Sequence, residues 1–209
     1  FISALLLAAP CFPDELELNI DGDIVSRPYI DMTISVMQAF GAQVQRVNDR
    51  RYVISPTGYR KSRYEIEPDA SAASYFFAAA AISGGSITVE GLGSQSIQGD
   101  KGFVDIVEKM GAKVVRSDNA LSVIGTGSLI GVDASMKEIS DTVPTLAAIA
   151  ALASGPTVIS DVAFIAQKES DRVTALITEL RKIGVKAEKT ETGMVIYPGE
   201  VQKGTIHTY

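Results

Sequence analysis

The stretch Met37-Gln38-Ala39-Phe40-Gly41-Ala42-Gln43-Val44 decides the fold, because its pattern occurs three times in the chain. The other copies are Glu108-Lys109-Met110-Gly111-Ala112-Lys113-Val114 and Arg181-Lys182-Ile183-Gly184-Val185-Lys186-Ala187. In each copy a helical pattern ends at a glycine, and alternating strand residues follow. The three glycines are 70 and 73 residues apart. Because glycine tolerates the left-handed conformation that ends a helix, the recurrence predicts a repeated unit.

An apolar helix and further short strands complete each predicted unit. A second strand follows each glycine, and a short strand separates the two helices. The first helix has no polar face, so it is predicted to lie inside a core. These helices are predicted at Phe1 to Ala9, Ala70 to Ile82 and Thr142 to Ala153. We therefore predict an α/β (α+β) fold of small βαβαββ units, in which the first unit lacks its opening strand.

The segment Glu65-Ile66-Glu67-Pro68 is the predicted boundary between two parts of the chain. Proline has no amide hydrogen to give to a sheet, so we expect a strand to end at Pro68. Asp69 is then suited to cap the next helix.

Composition excludes several classes of function. A net charge of −6 and a pI of about 4.9 argue against a general nucleic-acid surface, since such domains are usually basic. One cysteine, Cys11, excludes an internal disulfide, and one histidine, His207, argues against a histidine-rich metal site. Both facts favour a cytoplasmic location, and no cofactor or metal is expected.

The apolar run from Phe1 to Cys11 resembles the core of a signal peptide. It lacks a basic segment before it, and Pro10 directly precedes Cys11. We interpret it as part of a helix and expect the chain to be an internal fragment, truncated at both ends. Other apolar runs are far shorter than the roughly 18 residues that suggest a membrane span, so no membrane partner is expected.

The stretch Lys168-Glu169-Ser170-Asp171-Arg172 precedes an amphipathic helix, and Ser170 or Asp171 is suited to be its N-cap. Cations oppose the macrodipole at a helix N-terminus. Lys168 and Arg172 beside free backbone amides therefore favour an anion-binding site. The alternative is a solvated helix start whose charges neutralise one another.

Equivalent positions in the repeat link this stretch to two others. Counting back 15 residues from each helix-ending glycine reaches Ser26, Ser96 and Glu169. Pro28 suits the first position of a helix, which places the Ser26 hydroxyl at the helix entrance. If the units pack around a pseudo-axis, these entrances face one cleft. The alternative is that Ser26 only caps its helix.

Asp141 precedes the third apolar helix, within Glu138-Ile139-Ser140-Asp141-Thr142-Val143-Pro144. Capping is the ordinary role of such an aspartate, and Asp69 stands at the equivalent place one unit earlier. Desolvation beside an apolar helix also raises the pKa of a carboxyl towards values useful to a general base. The residues alone leave both roles open.

Five motifs, in order and spacing, closely resemble the 5-enolpyruvylshikimate-3-phosphate synthase (3-phosphoshikimate 1-carboxyvinyltransferase) family. They are Ser26-Arg27-Pro28-Tyr29-Ile30-Asp31, Glu67-Pro68-Asp69-Ala70-Ser71-Ala72-Ala73-Ser74-Tyr75-Phe76, Ser96-Ile97-Gln98-Gly99-Asp100, Ile139-Ser140-Asp141-Thr142 and Lys168-Glu169-Ser170-Asp171-Arg172. The likeness covers nearly the whole chain. It implies two lobes, each of three α/β units, with the active site in the cleft between them. On that map, residues 1–67 are the last unit of one lobe, and 68–127 and 128–209 are two units of the other.

The resemblance implies transfer of the enolpyruvyl group of phosphoenolpyruvate to the 5-hydroxyl of shikimate 3-phosphate, with release of phosphate. This reaction leads to chorismate and the aromatic amino acids, and it is the target of glyphosate. The family needs no cofactor, and the parent enzyme is expected to be a monomer with small-molecule substrates only.

Site residues follow from the resemblance by position. The residues implied to bind shikimate 3-phosphate are Ser26, Tyr29, Asp141 and Lys168. Arg172 is implied to bind phosphoenolpyruvate. The implied catalytic residues are Asp141, which accepts a proton, and Glu169, which donates one to the methylene carbon. These types suit the chemistry, because two polyanions need cations and the addition needs an acid and a base.

Departures from the family pattern are also visible. Phe164, Ile165 and Ala166 stand where the family usually has Asn-x-Arg, and the asparagine helps to hold shikimate 3-phosphate. The family's amino-terminal Lys-Ser-Arg set is missing, as are the Ser-Ser-Gln expected directly before Phe1 and the Asp-His-Arg and lysine motifs expected beyond Tyr209. We therefore expect these 209 residues alone to be inactive.

Two alternatives stay open. The related UDP-N-acetylglucosamine enolpyruvyl transferase shares the repeated unit, although Ser-Arg-Pro-Tyr and Lys-Glu-Ser-Asp-Arg favour the shikimate enzyme. The other alternative is a non-catalytic fragment or relic that binds shikimate 3-phosphate without turnover.

Overall fold

Helices and short strands alternate along residues 1–208, the part of the chain that the computed structural model describes. The helices are α1 (Ile2–Ala8), α2 (Arg27–Ala39), α3 (Ala70–Ser83), α4 (Phe103–Lys109), α5 (Val143–Ala150) and α6 (Arg172–Lys182). The strands are β1 (Leu16–Asn19), β2 (Val44–Asn48), β3 (Arg51–Ile54), β4 (Ser86–Glu90), β5 (Lys113–Arg116), β6 (Ala120–Ile124), β7 (Asp133–Ser135), β8 (Thr157–Ser160), β9 (Lys186–Lys189) and β10 (Met194–Tyr197).

These elements form two units. The N-terminal unit contains Phe1–Ile66 and Ile97–Gly99, and the C-terminal unit contains Glu67–Ser96 and the described chain from Asp100 onward. The assignment of residues 1–67, 68–127 and 128–209 to repeats of two lobes stays a prediction. Among the described residues, every helix is too short or too polar to cross a membrane.

The helix ends predicted from the glycines are confirmed. Gly41, Gly111 and Gly184 follow α2, α4 and α6 with φ of +85°, +108° and +83°. In each case the amide after the glycine donates to a carbonyl five residues earlier, as Ala42 N does to Met37 O at 3.0 Å. This hydrogen bond is that of a Schellman motif, which satisfies carbonyls left over at the end of a helix.

The N-terminal unit has one antiparallel sheet in the order β1-β3-β2, packed against α1 and α2. Its core includes Leu6, Met37 and Tyr52. The prediction that α1 is buried all round is wrong for this chain. Leu6 is fully buried, but Leu5 and Leu7 are 44% and 47% exposed.

The C-terminal unit contains two further sheets on a larger core. One is antiparallel in the order β4-β6-β5. In the other, β7-β8-β10-β9, β7 pairs with β8 in parallel and the remaining pairs are antiparallel. The elements from β7 to β10 therefore follow the predicted βαβαββ order, and the mixed helix-and-sheet class is confirmed.

Helices α3 and α5 contact each other in the middle of this core. Phe77 and Leu146 are almost fully buried there. The hydroxyls of Ser74 and Thr145 lie 2.8 Å apart, and both side chains are buried. Burial of α3 is not complete, since Tyr75 is 59% exposed. An apolar helix is thus enclosed only on the sides where this unit supplies neighbours.

The boundary segment differs from expectation. No strand is assigned over residues 55–69 of the described chain, so the strand predicted to end at Pro68 is wrong. The helix after it begins as predicted. The Asp69 carboxylate accepts a hydrogen bond from the amide of Ala72 at 2.9 Å, which caps α3.

Gly125, directly after β6, fits tightly against the last turn of α3. A Cβ atom at this position would lie 1.9 Å from the carbonyl oxygen of Ala80. Only glycine allows so close an approach of the two backbones.

Candidate active site

Two short segments of the C-terminal unit carry the predicted catalytic residues. Asp141 lies in a 3₁₀ turn, Ser140–Thr142, directly before α5. Lys168 and Glu169 follow a second 3₁₀ turn, Ala163–Gln167, and lead into α6. The Asp171 carboxylate caps α6 by accepting from the amide of Thr174 at 2.9 Å. Of the two residues suited to this cap, Asp171 is therefore the one used.

Asp141, Lys168, Glu169 and Arg172 form a connected cluster of charges. One oxygen of Asp141, Oδ1, lies 2.5 Å from Lys168 Nζ and 2.9 Å from Arg172 Nη1. The other terminal nitrogen of Arg172 lies 3.2 Å from Glu169 Oε2. The predicted grouping of cations at the entrance of α6 is thus confirmed, and Asp141 joins it from a segment 27 residues earlier.

Asp141 is not the helix cap that capping statistics favoured. The N-cap position of α5 belongs to Thr142, and Asp141 is one residue further out, inside the 3₁₀ turn. Its side chain turns to Lys168 and Arg172. Two cations stabilise an ionised carboxylate, which opposes the desolvation invoked from the sequence. The Asp141 side chain is also 34% exposed, so desolvation is incomplete.

Glu169 differs from the other three residues in exposure. Its side chain is 84% exposed, whereas those of Lys168 and Arg172 are 26% and 29% exposed. The pKa of Glu169 is lowered below 4.5, first by a hydrogen bond from its own backbone amide and then by Arg172. Glu169 is therefore a carboxylate at neutral pH before any substrate arrives.

Sequence reasoning missed one residue beside the cluster, Ser140. Ser140 is fully buried, and Lys168 Nζ lies 3.4 Å from its hydroxyl oxygen. The available signal was a hydroxyl residue directly before Asp141. The arrangement holds two cations at the N-terminus of α6, where the helix dipole also favours an anion.

In the N-terminal unit, Ser26 directly precedes α2 and has a left-handed backbone, with φ 55° and ψ 43°. Ser26 occupies the N-cap position of α2, but its side chain makes no capping hydrogen bond, so the side-chain cap expected by the alternative is not formed. Arg27 is the first helical residue and Pro28 the second, one position later than predicted. The amide of Tyr29 donates to the Ser26 carbonyl at 3.1 Å. A left-handed non-glycine residue often marks a functional site.

The middle slot of the repeat, Ser96, is a buried structural position in the C-terminal unit. Its hydroxyl donates to Glu67 Oε2 at 2.6 Å, and Lys101 Nζ donates to its carbonyl at 2.5 Å. Asp100 is also buried and accepts a hydrogen bond from the Ser71 hydroxyl. The shared cleft expected from the three equivalent entrances stays a prediction.

Phe164, for which the resemblance predicts an asparagine, lies in the 3₁₀ turn before Lys168. Its side chain is partly buried and packs against the main core, and the next residue, Ile165, is fully buried. The ring therefore contributes to packing at this position.

Across the described part of the chain, no group of three or more histidine, cysteine, aspartate or glutamate side chains is arranged to hold a metal ion.

Comparison with known proteins identifies the family. The model of EPSP synthase (3-phosphoshikimate 1-carboxyvinyltransferase) matches residues 1–209. The chain is 42% identical over 209 residues to a 3-phosphoshikimate 1-carboxyvinyltransferase from Trichormus variabilis, and 43% identical over 212 residues to one from Yersinia pseudotuberculosis. Each match covers 100% of this chain and 49% of the relative. The chain thus spans about half the length of the curated relatives it matches.

Solved structures agree at the level of the fold. EPSP synthase from Acinetobacter baumannii matches with a TM-score of 0.71 and 24% identity, over 93% of this chain and 45% of that one. The enolpyruvyl transferase NikO from Streptomyces tendae matches with a TM-score of 0.70 and 19% identity, over 94% and 46%. Because the family model matches all of residues 1–209, this chain belongs to the EPSP synthase (3-phosphoshikimate 1-carboxyvinyltransferase) family.

Proposed function

We propose that this chain supplies part of the active site of an enzyme that transfers the enolpyruvyl group of phosphoenolpyruvate to the 5-hydroxyl of shikimate 3-phosphate, releasing phosphate. The observation that carries the proposal is the cluster of Asp141, Lys168, Glu169 and Arg172 at the entrance of α6. The names of the curated relatives favour this reaction over transfer to UDP-N-acetylglucosamine.

Substrate binding is proposed to use the cations of this cluster. Lys168 binds shikimate 3-phosphate and Arg172 binds phosphoenolpyruvate. Both cations already contact Asp141 through one oxygen, so incoming phosphate and carboxylate groups share or replace that contact. Ser26 and Tyr29 at the entrance of α2 are proposed to bind the phosphate of shikimate 3-phosphate. A hydroxyl at the N-terminus of a helix suits an anion there, because the helix dipole is positive at that end.

Proton transfer is proposed to be divided between the two carboxyl groups. Asp141 accepts the proton of the 5-hydroxyl as that oxygen bonds to the central carbon of phosphoenolpyruvate. Glu169 donates a proton to the methylene carbon, which becomes a methyl group in a tetrahedral intermediate. Loss of phosphate and of one methyl proton then forms the enolpyruvyl product. Because Glu169 is ionised in the free protein, it must take up a proton when the substrates bind.

The complete enzyme, meaning this chain within a polypeptide as long as its relatives, is the proposed catalyst. We propose that it is a cytoplasmic monomer inhibited by glyphosate. The 209-residue chain, at half that length, is proposed to lack turnover by itself. A non-catalytic relic remains the competing function.

Phosphate release from phosphoenolpyruvate, measured with shikimate 3-phosphate or with UDP-N-acetylglucosamine as acceptor, tests the proposal. We expect release with the first acceptor only, together with the enolpyruvyl product by mass spectrometry. Binding of shikimate 3-phosphate without any release by the complete enzyme would support the relic. Turnover by the mass-verified 209-residue chain alone would contradict the proposed need for the rest of the enzyme.

A further inference from the structure

We propose that Asp49 is a positioning residue for substrate binding, because through Arg27 it holds the left-handed turn at Ser26. This inference rests on the proposed role of Ser26 in binding shikimate 3-phosphate. It assigns a function to the turn between β2 and β3, which the sequence motifs do not include.

Two hydrogen bonds join Arg27, at the start of α2, to Asp49 in the turn between β2 and β3. Arg27 Nη1 lies 2.9 Å from Asp49 Oδ1, and Arg27 Nη2 donates to the main-chain carbonyl of Asp49 at 3.1 Å. The guanidinium thus binds both the side chain and the main chain of Asp49. Its own side chain is only 29% exposed, so its direction is restricted. A two-point contact of arginine fixes geometry better than a single ion pair.

A second arginine ties the same turn to α2. Arg46 Nη2 lies 2.5 Å from Asp49 Oδ1, and Arg46 Nη1 lies 3.3 Å from Asp31 Oδ1. The pKa of Asp49 is lowered, first by Arg46 and then by Arg27, so its charge persists at neutral pH. Asp49 therefore connects the hairpin to the first two turns of α2.

The backbone at Ser26 explains why such a hold is needed. A left-handed conformation is unfavourable for a residue with a side chain and persists when its surroundings impose it. Arg27 is the next residue, so fixing its side chain restricts the peptide that follows Ser26. In this way Asp49 sets the direction of the Ser26 hydroxyl at the helix entrance.

The test is a double-mutant cycle in the complete enzyme with Asp49→Asn and Ser26→Gly. Glycine accepts the left-handed conformation without strain and removes the hydroxyl. Alone, Asp49→Asn is expected to raise the dissociation constant for shikimate 3-phosphate about two- to five-fold, in line with a surface charge network. In the Ser26→Gly background it is expected to have no further effect. The dissociation constant for phosphoenolpyruvate is expected to stay unchanged.

The matched control is Glu17→Gln, which breaks an exposed pair with Arg51 of 2.8 Å on the same sheet. It is expected to leave the affinity for shikimate 3-phosphate unchanged. If Asp49→Asn does not fold, Arg27→Gln removes both hydrogen bonds to Asp49 from the other side, and its loss of affinity is likewise expected to disappear in the Ser26→Gly background.

The possible outcomes distinguish the positioning role of Asp49 from the proposed binding role of Ser26. An equal loss of affinity from Asp49→Asn in both backgrounds, or no loss in either, overturns the positioning role. If Ser26→Gly alone leaves the affinity unchanged, the proposed role of Ser26 fails, and the positioning role with it. If Ser26→Gly weakens binding and Asp49→Asn does not, only the positioning role fails.

Discussion

Replacing Asp141 by asparagine separates its proposed catalytic role from its structural one. Asparagine keeps the size of the side chain and one oxygen acceptor, but it removes the negative charge and the ability to accept a proton. In the structure that charge contacts Lys168 Nζ at 2.5 Å and Arg172 Nη1 at 2.9 Å. The substitution therefore tests a base and two ion pairs at once.

The two effects differ enough in size to be told apart. The side chains of Asp141, Lys168 and Arg172 are between about a quarter and a third exposed, so each of the two ion pairs is discounted to roughly 0.5–1 kcal/mol. The carboxamide oxygen can still accept one hydrogen bond, and we expect stability to fall by about 1 kcal/mol. Loss of a general base costs roughly 10²–10⁴ in kcat, which is about 2.7–5.4 kcal/mol of activation free energy. Catalysis should thus suffer far more than folding.

The assay is phosphate release by the complete enzyme at saturating substrates, with urea unfolding measured in parallel. The control is Asp171→Asn, which makes the same chemical change at the entrance of α6 and keeps a residue suited to cap the helix. We expect the control to change kcat by no more than about two-fold, as for most surface changes. A kcat for Asp141→Asn close to that of the unmodified enzyme, or equal losses in both variants, would refute the proposed base.

Four further predictions concern other parts of the structure. Glu169→Gln should lower kcat by roughly 10²–10⁴ without changing the dissociation constant for shikimate 3-phosphate. Stopped-flow phosphate release measures the first quantity and equilibrium binding the second. An unchanged kcat excludes Glu169 as the acid. Asp171→Ala should lower Tm at pH 7. The Thr174 hydroxyl and then its amide lower the pKa of Asp171 from 3.8, so its stabilisation is present above that pH and is lost below it; calorimetry that finds the same Tm difference at pH 7 and pH 3 contradicts this. Phe164→Asn should lower stability by roughly 1–3 kcal/mol through lost packing, yet tighten shikimate 3-phosphate binding by roughly 1.5–3 kcal/mol, as calorimetric titration would show. Unchanged or weaker affinity means that the pocket has adapted to the phenylalanine or that Phe164 does not occupy the position of the family's asparagine. Gly125→Ala should destabilise the protein by more than about 3 kcal/mol in urea unfolding, because the added Cβ would lie 1.9 Å from the Ala80 carbonyl oxygen. An unchanged free energy of unfolding would contradict that close approach.

The sequence predicted the repeated helix ends well because their cause is local. A left-handed residue after a helix needs glycine, so Gly41, Gly111 and Gly184 are visible in the sequence itself. The entrance of α6 was predictable for the same reason, since Asp171 caps the turn that carries Arg172. Short-range chemistry fixes both features.

The remaining features depend on residues far apart in the chain. The capping pattern of Asp141 suggested a contact within its own turn, but the partners Lys168 and Arg172 come from a segment folded against it. The apolar pattern of α1 showed that the helix is hydrophobic and not which neighbours cover it, so the exposure of Leu5 was not foreseen. The left-handed backbone of Ser26 has no sequence signature, because serine rarely adopts it.

The buried hydroxyl pair between Ser74 and Thr145 has a consequence for how this chain assembles. A protein made of similar units contains apolar helices that resemble one another, and alanine-rich surfaces can slide or exchange with little change in hydrophobic energy. The Ser74 hydroxyl also donates to the Ser71 carbonyl in its own helix at 2.6 Å, so the hydroxyl that depends on the pairing is that of Thr145. Another arrangement of the helices would bury the Thr145 hydroxyl without this partner, which is unfavourable. The pair thus gives the packing of α3 against α5 its specificity, because it favours this pairing over pairings with the similar helices elsewhere in the chain.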